Sequence, residues 1–190
     1  MPADYTTLPA NLPVPRDDGG ADHLAGMAIP ALVLDSSQGP VDLAELCSLR
    51  AVIYIYPHTG VPGEPLAEGW DAFPGARGCT PESCGFRDHS TELAAAGARV
   101  AGLSGQTVAE QVEFAERNRM PFPVIADPQL RLRAALSLPT FELNALVYLR
   151  RLTLVAEHGT IVKAFHPVFP PDRHASVVLE WLARRGPLEG

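Results

Sequence analysis

Residues 75–93 read GARGCTPESCGFRDHSTEL, and they hold Cys79 and Cys84, two of the three cysteines in a chain of 190 residues. Four residues separate the pair. That spacing is not the C-x-x-C of a dithiol oxidoreductase, and it is unusual for a zinc knuckle. Ahead of it runs HTGVPGEPLAEGWDAFPGARG, rich in Gly and Pro and nearly without periodicity. It reads as a long loop, a feature that compact domains keep mostly for function. Behind it the pattern predicts a helix from about Thr80 to Ala96, with Pro81 near the start, where a missing N–H costs nothing.

This placement has chemical consequences. At the first turn of a helix, unpaired N–H groups and the positive end of the dipole face the Cys79 sulfur, which predicts a stabilised thiolate and a lowered thiol pKa. On an intact helix Cys84 lies more than a turn further along, with Cα atoms roughly 8–9 Å apart. A disulfide needs about 7 Å or less. The pair can therefore join only if the first turns unwind, and Pro81 and Gly85 make that segment a poor helix. The spacing suggests a two-step thiol device, one cysteine reacting and the other resolving it after local melting. Two other readings stand beside it. Both cysteines can be small buried apolar residues, or they can belong to a metal site with His58 and His89 as the nearest further ligands.

Outward from the pair, the periodicity changes repeatedly between strand and helix. AVIYIY, Ala51–Tyr56, is a continuous apolar run ended by Pro57, as expected of a central strand buried on both faces. ALVLDSSQGPVDL reads as a short hairpin around Ser36–Gly39, and AELCSL as a helical turn or two that buries Cys47. ARVAGLSG and FPVIAD read as strands. TVAEQVEFAERNR reads as an amphipathic helix capped by Thr107, and PQLRLRAALSL as another helix. ALVYLRRLTLVAEHGTIVKAFHPV reads as strand, turn at Glu157–Gly159, strand, and RHASVVLEWLARR as a closing helix. Together these give an α/β fold with a mixed central sheet flanked by helices. Residues 1–25, rich in Pro, Asp and Gly, read as an extended arm or a loosely attached tail, and residues 26–190 as the domain.

The bulk composition excludes several classes. Fifteen basic against 22 acidic residues give a net charge of −7, which argues against nucleic-acid backbones and anionic membranes as partners. Three cysteines are too few, and odd in number, for a disulfide scaffold. The first twenty residues lack the basic and apolar regions of a secretory signal, so a cytoplasmic protein is expected. There cysteines rest as thiols.

GCTPESCGFRD resembles the active-site segment of the peroxiredoxins, most closely the peroxiredoxin Q group, also called bacterioferritin comigratory protein. AVIYIYP, RVAGLSG, FPVIAD and RLTLVAEHGTIV resemble the strands around it, so the likeness covers roughly residues 26–184. It implies a thioredoxin-like fold and a thiol peroxidase that needs no cofactor or metal. Cys79 would attack hydrogen peroxide or an organic hydroperoxide and become a sulfenic acid. Cys84 would condense with it to a disulfide, which a thioredoxin or glutaredoxin would reduce. Such proteins are monomers or dimers. The family's catalytic arginine corresponds to Arg151, whose guanidinium would supply charge and a fork of donors to the peroxide oxygens. Arg150 points to the opposite face of a strand. Glu82 corresponds to the family's glutamate and would orient the arginine.

One departure from the pattern Pro-x-x-x-Thr-x-x-Cys bears on the site. Ala76 stands three residues before Cys79 where the family has Thr, and the chain between Pro57 and Cys79 is lengthened. An insertion accounts for both, with Thr59, or else Thr80, supplying the hydroxyl. The insertion carries Trp70 and Phe73, as plain packing or as a lid or docking surface. Arg87 and Asp88 are expected to pair on the helix surface, and His166 to end a strand without a catalytic role. The alternatives to an enzyme are a non-enzymatic thiol redox switch and a copper-binding module on a thioredoxin-like scaffold.

Overall fold

The computed structural model describes residues 4–188. Its centre is β3, Arg50–Ile55, with every residue buried. Val52, Tyr54 and Tyr56 enter one core and Ala51, Ile53 and Ile55 the other, because successive side chains leave opposite faces of a strand. A core on each face is what makes the run apolar throughout.

β3 pairs in parallel with β4, Ala98–Ser104, and antiparallel with β8, Leu152–Glu157. β5, Val124–Ala126, extends the parallel side, and β9, Thr160–Phe165, the antiparallel side. The sheet order is β5-β4-β3-β8-β9, mixed as the sequence predicts. The predicted hairpin is present as β1, Val33–Leu34, and β2, Val41–Asp42, followed by α1, Leu43–Leu46, whose N-terminus Asp42 caps.

Register fixes where chemistry can sit. Ile55 at the end of β3 lies opposite Leu103 of β4 and Leu152 of β8. The segment after β3, the segment after β4 and the residue before β8 therefore meet at one edge of the sheet. These are His58–Thr59, Gln106 and Arg151.

The helices differ from expectation in one respect. The stretch predicted as one helix is two, α2, Cys79–Asp88, and α3, Ser90–Ala95. His89 between them has φ −99° and ψ 15°, and it lies within a run of poor helix formers, Asp88-His89-Ser90. α4, Val108–Asn118, opens with a full capping box between Thr107 and Glu110. α5, Arg131–Leu136, and α6, His174–Arg185, complete the set.

The strand that the sequence predicts from Ala145 to the Glu157 turn is broken, and its first part belongs to a second hairpin. β6, Thr140–Leu143, and β7, Leu146–Leu149, pair antiparallel around Asn144 and Ala145, both at positive φ. The chain leaves this hairpin at Arg150–Arg151 before entering β8. Apolar residues on both sides of the break hid it. The hairpin carries the insertion, because Trp70, Phe73 and Ala76 pack on Phe141 and Tyr148, with Phe73 and Phe141 stacked at 4.0 Å. Packing is thus the role the structure gives Trp70 and Phe73.

The N-terminal arm is not loosely attached. Its first three residues lie outside the described range. From there on Tyr5, Ala21 and Leu24 are buried, and the Gly26 and Ile29 N–H groups donate to the Ile161 and Gly159 carbonyls along β9. The Tyr5 ring lies so close to Gly60 that a Cβ there would meet it at 2.5 Å, and its hydroxyl donates to the Glu64 carbonyl.

Candidate active site

α2 begins where a glycine is required. Gly78 sits at φ 105°, and a Cβ on it would stand 2.4 Å from Pro171 and 2.9 Å from Leu8. Cys79 follows as the first residue of the helix. Its sulfur receives a hydrogen bond from Nη2 of Arg151 at 3.2 Å, and the His58 backbone N–H also favours its thiolate. Its S–H lies 3.5 Å from the Ala76 carbonyl.

Arg151 is buried and uses its fork fully. Besides the sulfur, it donates to the Glu82 carboxylate, to the Gly75 carbonyl at 3.3 Å, to Ala76 at 3.0 Å and to Arg77 at 3.2 Å. One guanidinium thus ties the end of the insertion to the first turn of α2, a geometry a lysine cannot reproduce. The adjacent Arg150 turns outward to Asp18 at 3.2 Å, on the opposite face as expected.

Glu82 is fully buried. Burial pushes its carboxyl up to about 7 despite Arg151, and its Oε1 accepts no hydrogen bond among the described residues. Burial also raises the Cys79 thiol, against the pull of Arg151 and the His58 N–H, while the Glu82 charge pushes it further up. The sequence expects a lowered thiol pKa; in this closed site desolvation instead outweighs the guanidinium and raises it. Two acids face one cation, so a proton on Glu82 leaves Arg151 to a Cys79 thiolate.

Thr59 is not aimed at the sulfur. Its backbone N–H and hydroxyl both donate to Oε1 of Gln106, at 2.8 and 2.9 Å. At the family's threonine position, Ala76 offers its carbonyl to Cys79 and Arg151. Gln106 escaped the sequence reading. The available signal was its place just beyond the carboxyl end of a parallel strand, where sites in α/β sheets gather.

Cys84 is half-buried at the other end of the pair, with its sulfur 3.9 Å from Oδ1 of Asn118. Burial raises its thiol and Arg87 opposes this. Arg87 pairs with Asp88 as expected and also donates to the Asn118 carbonyl, at 2.8 and 2.9 Å. All three cysteines are thiols, and α2 is intact across the pair. Cys47 is buried in the core, and desolvation drives its thiol to about 12.

The two histidines considered as metal ligands do not converge. The His58 ring packs against Trp70 and Tyr148, while His89 contacts Glu92 and Ser176 beyond the end of α2. Among the described residues, no three His, Cys, Asp or Glu side chains come together as a metal site.

The profile of the family described as Redoxin matches residues 24–179. The chain belongs to the Redoxin family. Among Redoxin proteins it is 27% identical over 180 residues to the chloroplastic peroxiredoxin Q of Gentiana triflora, covering 92% of this chain and 76% of the relative. The chloroplastic peroxiredoxin Q of Arabidopsis thaliana is also 27% identical, over 158 residues, with 83% and 66% covered. Peroxidoxin BcpB from Mycobacterium tuberculosis superimposes with a TM-score of 0.66 at 27% identity, over 84% of this chain and 96% of that one. A peroxiredoxin Q structure from Xanthomonas campestris gives 0.63 at 26%, over 85% and 98%. Fold and enzyme class are those of this group of Redoxin proteins, a thioredoxin-like fold and a thiol-dependent peroxidase.

Proposed function

We propose that Cys79 is the peroxidatic cysteine and Cys84 the resolving one. The observation that carries this reading is the Arg151 guanidinium, which contacts both the Cys79 sulfur and the buried Glu82 at the start of α2. A fixed cation beside a sulfur favours the thiolate, and its remaining N–H groups favour the charge that develops on the leaving oxygen.

The Cys79 thiolate attacks the terminal oxygen of a hydroperoxide. The O–O bond breaks, an S–O bond forms, and the other oxygen leaves as an alcohol, or as water from hydrogen peroxide, after taking a proton. The sulfenic acid then meets Cys84. The Cys84 sulfur displaces hydroxide from Cys79, water is released and a disulfide forms. An outside dithiol of the thioredoxin type reduces it by exchange. The middle step requires the first turns of α2 to unwind, since an intact helix keeps the Cα atoms too far apart for the bond. Thr59 would contribute by anchoring the His58–Thr59 turn, its N–H and hydroxyl both held by Gln106, rather than by donating its hydroxyl to the peroxide.

The test is intact mass and disulfide mapping after one equivalent of hydrogen peroxide. The wild type should lose two hydrogens and link Cys79 to Cys84. Cys84→Ser should stop at a Cys79 sulfenic acid that dimedone traps, and Cys79→Ser should do neither. A wild type that leaves both thiols intact under mild peroxide would overturn the assignment.

A further inference from the structure

The guanidinium of Arg151 faces Cys79 and Glu82, and the backbone that carries it is held separately. Arg151 lies between β7 and β8, one residue ahead of the strand. Its carbonyl meets Nδ1 of His166 at 3.2 Å. A carbonyl oxygen only accepts, so Nδ1 carries the hydrogen of this bond. His166 directly follows β9, and its side chain is 4% exposed. Its other ring nitrogen, Nε2, has no hydrogen-bond partner among the described residues, yet it stands 3.6 Å from Oδ1 of Asp18. Two acceptors thus face one imidazole. The imidazolium offers a donor to each, whereas a neutral ring serves the carbonyl alone.

Asp18 belongs to the N-terminal arm and reaches two residues of this corner at once. Oδ1 faces His166, and Oδ2 pairs with Nη1 of Arg150 at 3.2 Å. The Gly20 N–H donates to the same carboxylate at 3.0 Å. That N–H above all, then Arg150 and His166, hold the carboxyl below the usual range against the effect of burial. A Cβ on Gly20 would stand 2.9 Å from Oδ1 of Asp18 and 3.4 Å from Pro139, so the turn of the arm fits closely here. Pro15 of the arm lies 3.5 Å from where a Cβ on Gly75 would stand, and the Gly75 carbonyl accepts from Nε of Arg151. Pro15, Gly75, Arg151 and His166 line one small crevice. The arm therefore meets Arg151 twice, behind its carbonyl through Asp18 and His166 and beside its Nε through Pro15 and Gly75.

We propose that Asp18 and His166 are positioning residues of the peroxidase, a tether by which the N-terminal arm fixes the Arg151 backbone and so the guanidinium on Cys79. The inference rests on the peroxidase reading above. Both residues act through Arg151 and need not touch the peroxide. A cation that must stay 3.2 Å from a sulfur loses its pull when its backbone drifts, and the tether prevents that drift. The arm thereby belongs to the catalytic unit.

Two readouts on the full chain test this. One is kcat/KM for hydrogen peroxide per folded molecule. The other is the rate of Cys79 alkylation by iodoacetamide across pH, followed by peptide mass. His166→Ala should lower kcat/KM about tenfold and move the alkylation profile to higher pH, because Arg151 then pulls less on the thiolate. Asp18→Ala should act in the same direction, by about threefold, as suits an exposed carboxylate. His166→Asn, whose amide N–H takes the place of Nδ1, should recover most of the loss. Adding Asp18→Ala to His166→Ala should cost nothing further, because Asp18 acts through the ring. Variants that melt lower but keep both readouts at wild-type values would overturn the tether. So would a loss that His166→Asn does not recover, or losses that multiply in the double variant. A wild type that fails to reduce hydrogen peroxide would overturn the peroxidase reading instead, and the alkylation profiles would still decide the tether.

Discussion

At one end of the α2 pair, Cys79 is 4% exposed, with a guanidinium 3.2 Å from its sulfur, a backbone N–H that favours its thiolate and a buried carboxylate beyond. At the other, Cys84 is half-buried and touches the neutral Asn118 amide at 3.9 Å. Both thiols are raised above their ordinary pKa by burial, yet the means that oppose this differ. Around Cys79 they are fixed by a guanidinium with several further anchors. Around Cys84 the opposing charge is Arg87, which is partly exposed on the surface. The contrast separates two jobs. On the proposed assignment, charge is assembled around the thiol that attacks, and little holds the thiol that must travel.

The comparison can be broken in order of expected effect. Cys79→Ser should abolish peroxide reduction, by about 10⁴-fold or more, in a coupled reductase assay; residual turnover within tenfold of wild type would transfer the attacking role elsewhere. Arg151→Lys keeps the charge but loses the fork, and kcat/KM should fall by about 10²–10³-fold. An arginine serving only to pin the insertion would instead lower the melting temperature and leave the rate per folded molecule unchanged.

Glu82→Gln removes the competing anion. The Cys79 thiol should titrate lower than in wild type, read by thiolate ultraviolet absorbance across pH. A stability signature accompanies this. Glu82 is raised from 4.5 to about 7, so the folded state holds the proton more tightly than the unfolded chain. Its contribution is fully present below pH 4.5 and lost as pH rises through about 7. The wild type should lose stability across that window relative to Glu82→Gln, measured by denaturant midpoints, and parallel profiles would refute the buried acid. The smallest effect belongs to the other end. Asn118→Ala frees Cys84 and should speed disulfide formation after peroxide by roughly two- to threefold, in stopped flow, in keeping with one weak hydrogen bond.

Much of this site was legible because the residues that carry it lie in one short segment or at the end of a strand. Cys79, Glu82 and Cys84 share one short segment, and Arg151 immediately precedes the strand that pairs with β3; the family resemblance supplied Glu82 and Arg151. The central strand was legible because burial on both faces leaves an unbroken apolar run. Thr59 was misread because a hydroxyl has many possible partners. Its choice of Gln106 depends on how β3 and β4 end side by side, 47 residues apart in sequence. The thiol pKa was misread because a helix terminus is visible in a sequence and desolvation is not. The β6–β7 hairpin was missed because Asn144-Ala145 lacks the glycine that usually marks such a turn, and the packing of the arm because its buried residues follow no period.

That arm ties the beginning of the chain to the inserted loop. Tyr5 lies against Gly60, receives Arg77 over its ring at 4.9 Å and donates to the Glu64 carbonyl, while Leu8 stands over Gly78. The two segments form one packing unit. Shortening the loop would strand Tyr5 without its carbonyl, and losing the arm would uncover Gly60, whose lack of a side chain admits the Tyr5 ring. Relatives with a trimmed loop are expected to lack the counterparts of Tyr5 and Leu8 as well, and Gly60 would then be open to substitution, while Gly78 would stay fixed by its φ and by Pro171.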